Sequence, residues 1–282
     1  MEANKEISLN IGFIGAGNMA KAIGEGLIHA GVIKPSNLYI SAPSDKNLDC
    51  WKSLGANTSH KNGYVVENSD IVFISVKPHL LDPAIEGIKT TLTQKTVNNK
   101  LFVSILAGTS LDILEEKLSE IVENVRVVRV MPNTPMTVHS GASVYCGGTN
   151  AKPEDLAIVK RILNHVGICE EVPEYLINAV GGLAGSGPAF VYIMIEALSD
   201  GGVKMGVPRA LATQFAAQTV LGAAKMILET GKHPGQLKDE VCSAGGTTIT
   251  GVHAMEVGGV RGALMNAVEA AARRSAELGP KK

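Results

Sequence analysis

Along its first half the chain alternates short unbroken apolar runs with stretches of helical periodicity. Apolar runs at 7–14, 71–76, 101–106 and 125–131, and a shorter one at 38–41, read as strands. Unbroken runs of this length are what a parallel sheet covered on both faces requires, because both sides of every strand are buried. The 125–131 run is interrupted by Arg126 and Arg129 and ended by Pro132. Helical patterns lie between the strands at 18–30, 44–54 and 110–118, with Gly31 and Gly55 placed as stops and Ser44 as a cap. A strand at 141–146, a helix after Pro153 and a last strand at 168–172 complete this half. Near Pro173 the pattern changes, strands cease, and Ala and Gly become frequent. Helices are predicted at 174–183, 188–201, 208–230, 235–242, 247–256 and 261–278. Pro188 and Pro208 suit first helical positions, and Gly201-Gly202, Gly231 and Gly258-Gly259 suit helix stops.

Composition fits this two-part plan. A chain of 282 residues, 45% apolar and 19% charged, can bury the cores of two domains. A formal net charge of -1 gives no overall field to attract nucleic acid or an anionic membrane, and no run of 18 apolar residues occurs. Neither nucleic acid nor membrane is therefore an expected partner. The polar start, Met1 to Glu6, leaves no room for a secretory signal and contains no Arg-rich presequence. The expected compartment is the cytoplasm, with the mitochondrion left open. Cys50, Cys146, Cys169 and Cys242 are scattered without a Cys-x-x-Cys pair, and the seven histidines are equally dispersed. No disulfide framework and no metal site is expected.

The first chemical motif is Gly-x-Gly-x-x-Ala, with Gly15, Gly17 and Ala20 directly after the first strand and before the first helix. Gly15 allows the tight turn, Gly17 lets a pyrophosphate approach the backbone, and Ala20 lets the helix lie close to the strand. The helix start then offers unpaired N–H groups to the phosphates. The expected fold is therefore α/β, an N-terminal Rossmann doubly wound parallel sheet over 1–173 with a second, all-helical C-terminal domain over 174–282. No carboxylate ends the second strand, which closes Tyr39-Ile40-Ser41-Ala42-Pro43. Ser41 can donate to a 2′-phosphate and Lys46 can reach it, which leans towards NADP, while Asp45 is the alternative ribose ligand. The turns Val76-Lys77-Pro78-His79 and Ala107-Gly108-Thr109 follow strand ends at the same edge and should border the dinucleotide.

The second motif is Gly245-Gly246-Thr247-Thr248, a turn that leads into a helix. Backbone N–H groups and two hydroxyls make it a potential anion site, with helix capping by the threonines as the plainer reading. From Pro234 through Glu256, with Leu237, Val241 and Gly251-Val252 at their spacing, this stretch resembles the signature of the pyrroline-5-carboxylate reductases. The resemblance extends over nearly the whole chain. It takes in Gly-Phe-Ile-Gly-Ala-Gly-Asn-Met-Ala at 12–20, Val-Lys-Pro at 76–78, Met-Pro-Asn-Thr-Pro at 131–135, Gly-Ser-Gly-Pro at 185–188 and Asp-Gly-Gly-Val-Lys-Met-Gly at 200–206.

The resemblance implies reduction of Δ1-pyrroline-5-carboxylate to L-proline with NADPH, NADH being the alternative donor. It implies a phosphate loop of Ile14, Gly15, Ala16, Gly17, Asn18 and Met19, and adenosine-side contacts at Ser41 and Asn62. Nicotinamide-side turns correspond to Ser75, Val76, Lys77 and Pro78 and to Ile105, Leu106 and Ala107. Substrate contacts correspond to Glu174, Glu240 and Gly245, Gly246, Thr247 and Thr248, with Thr248 aligned to the threonine that hydrogen-bonds the ring nitrogen. Glu240 departs from the asparagine of relatives, and Gly231 stands where some carry glutamate. The implied assembly is a homodimer, extended to a decamer. Two other classes compete: a β-hydroxyacid dehydrogenase, for which Lys204 and Lys225 are the candidate lysines outside any matching motif, and a non-catalytic dinucleotide sensor.

Overall fold

The computed structural model describes residues 7–93 and 97–278; the polar opening segment 1–6 lies outside them. Eight strands form one sheet: β1 (Ile11–Ile14), β2 (Leu38–Ser41), β3 (Asn57–Ser59), β4 (Ile71–Ile74), β5 (Leu101–Ser104), β6 (Arg126–Met131), β7 (Gly141–Gly147) and β8 (Gly167–Glu171), in the order β3-β2-β1-β4-β5-β6-β7-β8. The order reverses beside β1, which is the switch point of a doubly wound sheet. All neighbouring pairs run parallel except β6 and β7, which departs from the wholly parallel sheet expected. The cause is the link between them. Met131 and Gly141 are joined by a short connection holding one 3-10 turn, Thr134–Val138, too short for a parallel crossover.

Helices cover both faces, as the unbroken apolar strands demand. On one face α1 (Asn18–His29), α2 (Leu48–Leu54) and α6 (Pro153–Asn164) bury Ile23, Leu27, Trp51 and Ile162 against Ile11 and Phe13. Phe13 stacks between Trp51 and Phe73. On the other, α3 (Asn62–Asn68), α4 (Leu81–Thr91) and α5 (Leu111–Ser119) bury Val65, Ile85 and Leu114 against Ile14, Val72 and Ile74. The strand expected at 7–14 is shorter, because Asn10 N–H turns aside to the Asp70 carboxylate before Ile11 enters the sheet. β3, α3 and α4 were not anticipated by the pattern of residues.

The helical half comprises α7 (Glu174–Val180), a π-turn (Gly181–Gly185), α8 (Gly187–Lys204), α9 (Arg209–Thr230), α10 (Pro234–Val241), α11 (Thr247–Val257) and α12 (Val260–Glu277). The chain divides into two compact units, one running to Ser186 and taking in the chain from Ala270, the other Gly187–Glu269. α7 therefore belongs with the sheet, where it buries Ile177, although the composition changes near Pro173. Gly201-Gly202 do not stop α8, contrary to expectation. Gly202 instead lets α9 approach, since a Cβ there would lie 3.2 Å from the Ala212 Cβ. α8 ends before Gly206, whose φ is +93°. Within the second unit α8 and α9 pack on one another but leave Tyr192, Ile193, Phe215 and Leu228 exposed. The helical stretch Glu174–Lys204 is long and apolar enough to cross a membrane by length and composition alone, and only 17% of its apolar window is buried.

Candidate active site

The loop from β1 to α1 is shaped by two glycines. Gly15 has φ +101°, and a Cβ there would stand 2.7 Å from the Ser75 carbonyl oxygen, so no side chain fits. Gly17 caps α1 in an extended conformation, and a Cβ there would meet nothing within 4 Å. Open space thus lies over the helix start. The first intrahelical bond of α1 is Lys21 N–H to Gly17 O at 3.0 Å. The N–H groups of Asn18, Met19 and Ala20 before it make no hydrogen bond among the described residues, and no acidic side chain occupies the first turn. A dinucleotide pyrophosphate fits this place: free donors, the positive end of the helix dipole, and no Cβ in the way. Ala16 and Ala20 are buried, as the close packing of helix on strand requires.

The neighbouring strand ends are stitched to this loop. Gly15 N–H donates to Ser41 O at 2.9 Å, Ser75 N–H to Ile14 O at 2.9 Å, and the Ser75 hydroxyl to Gly15 O at 2.9 Å. Ser75 is therefore a pin for the turn. The Ser41 hydroxyl, expected to face a 2′-phosphate, is fully buried and donates to Asn62 Oδ1 at 2.8 Å. Asn62 in turn donates to Ala84 O at 3.1 Å. The two expected adenosine-side residues are brought together, but their polar atoms support each other and α4. Lys46 is exposed, and Asp45 is held by Lys52 at 2.8 Å, with its pKa lowered by that hydrogen bond. Val76 and Pro78 are half-buried and Lys77 exposed, next to the 3-10 turn Pro78–Leu80. In the turn after β5, Ile105 N–H donates to Ile74 O at 3.2 Å. Leu106 is buried, so only its backbone can face a ligand, while Ile105 and Ala107 are half-buried.

The turn before α11 is built in the same way. Gly245 has φ +67°, Gly246 N–H donates to Ser243 O at 3.1 Å, and Gly246 caps the helix in an extended conformation. Thr247 and Thr248 are the first two helical residues, and neither hydroxyl makes a hydrogen bond among the described residues. Capping, the plainer reading of the threonines, therefore does not occupy them. The N–H groups of Thr247, Thr248 and Ile249 precede the first helical bond, Thr250 N–H to Gly246 O. Glu240 is exposed and bonded to Lys232 at 2.9 Å and Gln236 at 3.1 Å. The Lys232 hydrogen bond, with smaller help from Gln236, lowers its pKa.

Two features were not read from the sequence. Glu174 does not stand free; its Oε1 accepts from Arg129 Nη1 at 2.8 Å and from Leu111 N–H at 2.7 Å. Asn133, in the Met-Pro-Asn-Thr-Pro motif, accepts from Ala142 N–H at 2.8 Å and donates to Ala184 O at 3.1 Å. An asparagine between two prolines, Pro132 and Pro135, is the only sequence signal for the second. Among the described residues no group of three or more His, Cys, Asp or Glu side chains could hold a metal.

Residues 174–278 match the family described as pyrroline-5-carboxylate reductase dimerisation, and residues 10–108 match NADP oxidoreductase coenzyme F420-dependent. Pyrroline-5-carboxylate reductase 3 of Xenopus laevis is 44% identical over 281 residues, covering 100% of both chains. The pyrroline-5-carboxylate reductase structure from Coxiella burnetii is 34% identical with a TM-score of 0.86, over 98% of this chain and 100% of that one. The Plasmodium falciparum pyrroline carboxylate reductase, whose structure has NADP bound, is 34% identical with a TM-score of 0.84, over 96% and 98%. On this identity, coverage and fold, the chain belongs to the pyrroline-5-carboxylate reductase family.

Proposed function

We infer the residues through which this chain carries out its family's reaction. It is an NAD(P)H-dependent reductase that converts L-Δ1-pyrroline-5-carboxylate to L-proline, the last step of proline biosynthesis. A bound reduced nicotinamide dinucleotide supplies the hydride. One hydride adds to the ring carbon of the C=N bond and one proton resides on nitrogen, so the imine becomes a secondary amine. A protonated or strongly hydrogen-bonded imine is already electrophilic, which is why no strong protein acid is needed.

In this reading Gly15, Gly17, Asn18 and Met19 hold the pyrophosphate, and the turns at 75–78 and 105–107 flank the nicotinamide half. The Gly245–Thr248 turn takes the substrate carboxylate through the free N–H groups of Thr247, Thr248 and Ile249. Thr248 orients the imine nitrogen. Most of the rate then comes from orientation and preorganised polarity. The observation that carries the reading is the bare start of α11: three N–H groups and two hydroxyls without a partner among the described residues, beside a left-handed glycine. Glu240 is paired with Lys232, which favours its carboxylate form.

NADPH is the proposed preferred donor, supported by the absence of a carboxylate at the end of β2. The dimerisation match supports self-association, and the exposed apolar helices of the second unit support a second copy as their cover. That reading also accounts for the low burial of Glu174–Lys204. Further assembly into decamers and a cytoplasmic location are proposed with it, to be checked by analytical ultracentrifugation and by cell fractionation. The reaction itself is tested by assaying L-proline from Δ1-pyrroline-5-carboxylate with NADPH and NADH in parallel. A higher kcat/KM with NADPH is expected, and equal or inverted values would overturn the proposed preference.

A further inference from the structure

Arg129 is a charged residue within β6, flanked by Val128 and Val130, and its side chain is 4% exposed. A buried guanidinium is costly unless its donors are used. Its Nη1 donates to Glu174 Oε1 at 2.8 Å and its Nη2 to Asn178 Oδ1 at 3.2 Å. Asn178 Oδ1 also accepts from the Ser275 hydroxyl at 3.1 Å. The same Glu174 oxygen accepts the N–H of Leu111, the first residue of α5. Ser110 sits where a serine ordinarily caps a helix, yet its side chain makes no cap bond. The cap of α5 thus comes from a carboxylate 63 residues further on, steered by an arginine on the adjacent strand.

The segment closed by this cap is the turn between β5 and α5. Its front end is fixed to β4 through Ile105 N–H and Ile74 O. Its back end, Leu111, is fixed by Glu174. Between them Gly108 has φ +72° and Thr109 is buried, so the turn has one defined path. We propose that Arg129 is a positioning residue: through Glu174 it holds the 105–110 turn in the shape that receives the nicotinamide half of the dinucleotide. The inference rests on the reading of that turn given under Proposed function. Neither side chain touches the reacting atoms in this account.

The test compares two ligands on the purified full chain. NADPH probes the whole site, and ADP-ribose 2′-phosphate, which lacks nicotinamide, probes the adenosine and pyrophosphate part alone. R129M should weaken NADPH by about tenfold, the scale of losing a charge-assisted hydrogen bond, while ADP-ribose 2′-phosphate stays within about twofold of the parent. R129K should restore part of the NADPH affinity, and E174Q should show the same selectivity at smaller size. Should R129M fail to fold, R129K and E174Q carry the same comparison. Equal weakening of both ligands, or no weakening of either, would overturn the proposal. Ala107→Trp, within the turn itself, separates the two levels. Selective NADPH loss in this variant with none in R129M or E174Q overturns the positioning role alone. No selective loss in Ala107→Trp overturns the assignment of the turn, and the inference with it.

Discussion

The two turns proposed to bind each leave specific atoms unpaired among the described residues, and single substitutions separate folding from binding. Thr248 has a hydroxyl with no hydrogen-bond partner among the described residues, so removing it costs the fold little. Thr248→Ala should lower kcat/KM by a factor corresponding to about 1–3 kcal/mol, with an unchanged thermal midpoint. Unchanged kcat/KM would remove Thr248 from the site. The glycines of the first loop behave oppositely to one another. Gly15→Ala places a Cβ 2.7 Å from a carbonyl oxygen at a left-handed φ and should destabilise the protein as well as abolish dinucleotide binding. Gly17→Val meets open space at an ordinary φ. It should fold normally yet bind dinucleotide at least about tenfold more weakly, about 1.4 kcal/mol, as measured by calorimetry. Normal binding by Gly17→Val would place the pyrophosphate elsewhere.

Elements were legible in the sequence to the degree that their cause is local. β1, β4 and β5 announce themselves because a strand buried on both faces needs a largely apolar run, and the phosphate loop because its glycines act on their own backbone. β3 and α3 span three and seven residues, too few to show a period. α4 carries Pro83 and Gly87 within its span, which blurs its pattern. The antiparallel turn of β7 follows from connection length, not from any residue in the strand. The Arg129–Glu174 pair joins residues 45 apart in sequence, so neither side chain's partner could be read beforehand. At α6 the cap is local, Asp155 Oδ2 accepting from Lys152 N–H at 2.9 Å, but the same carboxylate is held by a distant arginine, its Oδ1 accepting from Arg126 at 2.6 Å. Asp155 is 5% exposed, and losing both bonds at once should cost about 2–4 kcal/mol. Urea unfolding of Asp155→Ala checks this, and a loss below about 0.5 kcal/mol, the range of ordinary surface changes, would contradict it.

For the molecule as a whole, two buried thiols contribute to loss of stability at alkaline pH. Burial pushes Cys146 and Cys169 from an ordinary 9.0 up to about 12, with Glu174 adding to the shift at Cys146. Their folded-state pKa values are raised, so the folded state retains protons that the unfolded chain releases. That contribution is complete below about pH 9 and is lost as pH rises towards about 12. The fall in stability over this window should be shallower in Cys146→Ala/Cys169→Ala than in the parent, and identical slopes would contradict it.

In the reaction of the whole molecule, hydride is to pass directly from the bound nicotinamide dinucleotide to the ring carbon of the imine. That transfer is tested most directly with NADPH carrying deuterium at the transferable C4 position and Δ1-pyrroline-5-carboxylate, reading the product by mass spectrometry. The account predicts L-proline with one deuterium on the former imine carbon. Unlabelled proline, or consumption of the dinucleotide with no proline formed, would contradict it.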